Sequence, residues 1–187
     1  MVWYLDKRIQ NNIYIMKKAF LFIALAGFGL VSMVTGDDGG APKKVPSVML
    51  KDIEGNSVNT AEVSNDGNPI VISFWATWCK PCILELNTIA ESYDDWQEET
   101  GVKLVAVTID DERNKPKVKP MVDAKGWEYD IWYDTNSELR RAMGVNNPPQ
   151  TFLLDGEGNI VYSHNGFMPG DEEELYDEIL KVSEGEE

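Results

Sequence analysis

Apolar positions along the chain follow two rhythms. Short runs rich in β-branched and aromatic residues alternate with stretches in which apolar residues recur every three or four positions, the marks of buried strands and amphipathic helices. Residues 69–75 form a run of the first kind, bounded by Asn65-Asp66-Gly67 and a polar turn, and predict a buried central strand. From Cys79 to Glu99, the residues Cys82, Ile83, Leu86, Ile89, Ala90, Tyr93 and Trp96 mark one face of a single predicted helix, with Gly101 as its stop. Residues 102–109 predict a second buried strand, 117–125 a helix closed by Gly126, 129–133 a short strand, and 137–143 a helix closed by Gly144. A hairpin is expected at each end of this array: 48–51 with 57–60 around Gly55, and 151–154 with 160–163 around residues 155–159. A last helix is predicted over 171–182. Strands and helices in alternation predict an α/β sandwich.

Upstream of this array the pattern changes. Met16-Lys17-Lys18 precedes an uncharged apolar run from Ala19 to Val34 that closes on Thr35 and Gly36, the layout of a secretory signal. Retention as a membrane anchor is the competing reading, but the run falls short of the roughly 20 apolar residues of a comfortable span. The segment holds no cysteine for lipid attachment. Residues 37–46, rich in Gly, Pro and charge, read as a tether. The organisation expected is an extension and export segment over 1–36, a linker over 37–46 and one domain over 47–187. The protein is thus expected in the periplasm or another extracytoplasmic space, free or held by its N-terminal segment.

Charge narrows the partners. Of 17 basic and 32 acidic residues, Lys7, Arg8, Lys17, Lys18 and Asp6 lie upstream, leaving 13 against 31 in residues 37–187. Such a field repels nucleic acid and anionic membrane surfaces, so neither is an expected partner of the domain.

The two cysteines stand together as Trp78-Cys79-Lys80-Pro81-Cys82, where the central strand gives way to a helix. A helix N-terminus offers unpaired N–H groups and about half a positive charge, which favours a thiolate at Cys79. Lys80 adds a cation, and Pro81 fits a first turn that has no use for its missing N–H. A structural staple across four residues would contribute only about 2 kcal/mol. A zinc site needs four ligands, and the chain offers two cysteines and His164. Attachment of a c-type haem needs histidine where Ile83 stands. The spacing therefore points to a redox dithiol needing no metal and no dissociable cofactor.

The segment from Ser73 to Cys82 (SFWATWCKPC) resembles the active-site motif of thioredoxins, and Pro149-Gln150-Thr151-Phe152 resembles their second landmark. With the N-terminal hairpin and export signal, the chain is most similar to the TlpA/ResA-like periplasmic branch, from about Ser47 onward. The resemblance implies a thioredoxin-like three-layer sandwich, a central mixed sheet with helices on both faces. It also implies a cis bond before Pro149, placed against the cysteine pair. A monomer is expected, acting on protein thiols and disulfides and recharged by a redox partner, with a reductive role such as cytochrome c maturation.

Two departures from ordinary thioredoxins matter. Ser73 stands where they place a buried acid that helps deprotonate the second cysteine, and Glu85, three residues after Cys82 on the same helix face, is the expected substitute. A solvated surface carboxylate is the bland alternative for Glu85. Pro148 precedes the presumed cis-proline and leaves only a carbonyl for substrate backbone. Trp78, beside Cys79, is either an apolar platform for substrate or a core aromatic. His164 reads as a surface residue without a role. Two rivals on related folds remain: a peroxiredoxin-like thiol peroxidase, which wants an activating arginine near its cysteine, and a copper-binding chaperone, which wants a wider cysteine spacing and an earlier histidine.

Overall fold

A computed structural model describes residues 44–185. The export segment, and the linker up to residue 43, lie outside the described residues. Seven strands form one mixed sheet: β1 (Met49–Asp52), β2 (Ser57–Asn59), β3 (Ile70–Trp75), β4 (Lys103–Thr108), β5 (Asp130–Tyr133), β6 (Gln150–Leu154) and β7 (Ile160–Asn165). Their spatial order is β2-β1-β5-β4-β3-β6-β7. β3, β4 and β5 run parallel, while β1 opposes β5 and β6 opposes β3. The α-helices are α1 (Lys80–Ala90), α2 (Tyr93–Thr100), α3 (Val118–Lys125), α4 (Glu138–Ala142) and α5 (Asp171–Glu184), and they cover both faces of the sheet.

The two rhythms of the sequence map onto these layers. Every residue of β3 is buried, as a strand flanked on both sides and on both faces requires. Its Phe74 meets Phe152 of β6 edge-to-face at 6.0 Å. Gly101 and Gly126 end their helices at φ +67° and +66°, the left-handed conformation that glycine adopts without penalty. The expected single helix over 79–99 is in fact two. Chain direction changes at Glu91 and Ser92, and Trp96 N–H then bonds the Ser92 carbonyl to start α2 afresh. The break lets Tyr93 Oη accept the Leu104 N–H at 2.8 Å while Trp96 stacks on Tyr176 of α5. No glycine or proline marks that break, and the apolar spacing runs straight through it.

Packing begins before the expected domain start at Ser47. Lys44 bridges to Asn159 in the turn between β6 and β7, and Val45 is buried in the core.

Candidate functional site

β3 ends at Trp75, and the turn that follows is held by a carboxylate on the neighbouring strand's loop. Asp110, fully buried, accepts bonds from the backbone N–H and hydroxyl of Thr77 and from the Thr108 hydroxyl, each at 2.8 Å. Asp110 was not singled out from sequence, because its partner lies 33 residues away. Cys79 N–H bonds the Ala76 carbonyl at 3.0 Å and closes the turn.

Cys79 is the N-cap of α1, and its Sγ accepts the Cys82 N–H at 3.4 Å. Cys79 and Cys82 are joined as a disulfide, with Cα atoms 5.3 Å apart. Their exposures differ: Cys79 keeps 5% of its surface while Cys82 keeps none. Trp78 beside them is 60% exposed, which removes the core-aromatic reading and leaves an apolar face next to Cys79. Trp75 is the core aromatic, edge-to-face against Trp127 at 5.1 Å.

The peptide between Pro148 and Pro149 is cis. Pro149 carbonyl accepts the Gly166 N–H at 2.9 Å, which ties this turn to the end of β7.

Glu85 is buried, not solvated. Ser73 donates to its Oε2 at 2.9 Å and Thr151 to its Oε1 at 2.6 Å. Ser73 and Thr151 are register partners on β3 and β6, so their side chains share one face of the sheet, beneath α1. Burial raises the Glu85 carboxyl to about 7, against the pull of the Thr151 and Ser73 hydroxyls, which favour the ionised form. A buried carboxyl thus reaches Ser73 from the helix, and the serine is its hydrogen-bond donor.

The same face continues onto β7. His164 pairs in register with Thr151, and its Nε2 lies 3.1 Å from Asp171 Oδ2. No local pattern around His164 predicts this placement, since its partner Thr151 is set by strand register. Among the described residues, no three His, Cys, Asp or Glu side chains gather in a way that could hold a metal ion.

Residues 41–163 match the AhpC/TSA family. The chain belongs to the AhpC/TSA family. Within it, the thiol-disulfide oxidoreductase ResA of Halalkalibacterium halodurans is 30% identical over 143 residues, covering 75% of this chain and 77% of that one. The thiol:disulfide interchange protein DsbE of Yersinia pestis is 32% identical over 161 residues, covering 78% and 80%. The solution structure of a thioredoxin-like protein from Porphyromonas gingivalis superposes with TM-score 0.70 at 46% identity, over 79% of this chain and 97% of that one. The fold is thioredoxin-like, as the SFWATWCKPC segment implied. With the Cys79–Cys82 pair at the head of α1, the activity is thiol-disulfide exchange.

Proposed function

We propose that this AhpC/TSA member is an exported reductase of protein disulfides, with Cys79 as attacking thiol, Cys82 as resolving thiol and Glu85 as acid-base partner of Cys82. The observation that carries the reading is the buried carboxyl of Glu85, which stands on the helix that Cys79 caps and that holds Cys82, and which Ser73 and Thr151 bond from the sheet. A carboxyl poised near 7 can take up and return a proton at working pH.

In the reduced protein, the Cys79 thiolate at the helix N-terminus attacks a substrate disulfide and forms a mixed disulfide, releasing one substrate thiol. Glu85 then takes the proton of Cys82. The Cys82 thiolate attacks Cys79 Sγ, the second substrate sulfur leaves, and the Cys79–Cys82 bond closes. The substrate gains two electrons and the dithiol loses them. Trp78, Pro148 and Pro149 form the apolar surround on which a protein substrate docks, with the Pro148 carbonyl as an acceptor for its backbone. A partner dithiol recharges the pair.

Export through residues 1–36, a tether from residue 37 and a catalytic domain whose packing starts at Lys44 suit this role, as do relatives named ResA and DsbE. Apo-cytochrome c is the kind of exported thiol protein such a reductase serves. Equilibration of the Cys79–Cys82 pair with glutathione tests the direction. A potential well below that of glutathione, with catalysis of insulin reduction by dithiothreitol, is expected; a pair that glutathione readily reduces would make the protein an oxidase.

A further inference from the structure

Glu85 keeps only 3% of its surface, so a proton it takes from Cys82 needs a way out. The sheet supplies a row of side chains leading outward: Ser73 on β3, Thr151 on β6 and His164 on β7 are successive register partners on one face. Ser73 is fully buried, Thr151 keeps 2% of its surface, and the His164 side chain keeps 32%. Burial thus falls along the row from centre to edge. Glu85, Thr151, His164 and Asp171 line one cavity of about 10 Å³, room for roughly one water molecule.

We propose that His164, with its ring held by Asp171, is the positioning residue that passes protons between the Glu85 carboxyl and solvent. The inference rests on the acid-base role of Glu85 proposed above. During resolution the Cys82 proton sits on Glu85 while the new disulfide forms and substrate thiolate leaves. It then crosses by the Thr151 hydroxyl or the cavity water to His164, giving an imidazolium, and from there to bulk water. Glu85 is returned as a carboxylate. An imidazole takes up and gives back protons readily in the physiological range, which neither threonine nor serine can do.

The charged surroundings suit a transient cation. Asp171 and Glu172 of α5 line the cavity, and Asp171 bonds the ring while also accepting the Met168 N–H at 2.7 Å. On its own strand His164 stacks on Tyr162, whose hydroxyl donates to Glu174. Glu85 faces it from α1. Burial raises the Glu85 carboxyl, and the charges of His164 and Asp171 pull on it in opposite directions, so the two sites are electrostatically linked.

The test is stopped-flow tryptophan fluorescence of the resolution step in the purified full chain, across pH, in dilute buffer and with added imidazole. His164→Gln is expected to slow resolution about tenfold in dilute buffer and to recover with imidazole, leaving the Cys79 attack unchanged. Asp171→Asn, which keeps an acceptor for Met168 N–H, is expected to show a smaller slowing with the same recovery. Glu85→Gln should be slow in both buffers. Wild-type rates for His164→Gln in dilute buffer at every pH, or a slowing that imidazole leaves in place, would overturn the relay while leaving the Glu85 role standing. Wild-type rates for Glu85→Gln as well would overturn both.

Discussion

Thr151 Oγ1 donates a 2.6 Å hydrogen bond to Glu85 Oε1 across 66 residues of sequence. The bond opposes what burial does to Glu85, since a donor to the ionised form lowers the carboxyl pKa. Thr151→Val keeps shape and removes the donor. The alkaline-rising limb of the resolution rate should then move up by about one pH unit. The measurement is the pH profile of that step in wild type and variant, and superimposed profiles would reject the coupling.

Glu85 also ties stability to pH. Its pKa rises from 4.5 to about 7 on folding, so the native state binds the proton more tightly than the unfolded chain. The associated stability is fully present below pH 4.5 and is lost as pH climbs through 7, a loss on the order of 3 kcal/mol. Glu85→Gln should remove that dependence and be more stable than wild type above pH 7, its amide still able to bond both hydroxyls. Urea unfolding of the oxidised proteins at pH 5 and pH 8 would show it.

Cys82→Ser should trap mixed disulfides, because the slightly exposed Cys79 can attack while nothing resolves the adduct. Cys79→Ser should trap few. Acid-quenched purification from the oxidising compartment and non-reducing gels decide the matter, and the reverse pattern would exchange the roles.

Asp110 accepts from three donors around the turn that carries Trp78 and Cys79. Asp110→Ala leaves the buried Thr108 hydroxyl and the partly buried Thr77 donors without this acceptor, at a cost of about 1–3 kcal/mol, and slackens the turn. The variant should lose both stability in urea and activity in the insulin assay, with both thiols still titratable.

Trp78→Ala removes an exposed apolar face and no core packing. Stability should change by less than about 0.5 kcal/mol, while KM for a protein disulfide rises and reaction with a small disulfide is unaltered. Equal losses on both substrates would show that Trp78 serves the cysteines instead.

Local signals carried the reading of this chain far. The hairpins were legible from Gly55 and from Asp155-Gly156-Glu157-Gly158-Asn159, the central strand from its unbroken apolar run, and the dithiol from its place before an amphipathic helix. Glu85 was legible from helical spacing to Cys82, but its burial was not. What buries it is the register of β6 on β3, which sets Thr151 opposite Ser73, and no local pattern encodes register between strands so far apart in sequence. Asp110 and His164 escaped for the same reason. The break at Glu91 and Ser92 escaped because tertiary partners, Leu104 and Tyr176, reward it while the apolar spacing stays in phase.

The bridge between Lys44 and Asn159 gives the domain a root and a tip. Asn159 lies in the turn beyond Leu154, which pairs with Ile70 at the start of β3, whereas Cys79 follows the far end of that strand. Six strand residues at about 3.3 Å each set the two poles roughly 20 Å apart. Lys44, where the described residues begin, therefore lies at the root. The Cys79–Cys82 disulfide lies at the opposite pole, so a partner protein docking on it leaves the edge pairing at Lys44 undisturbed.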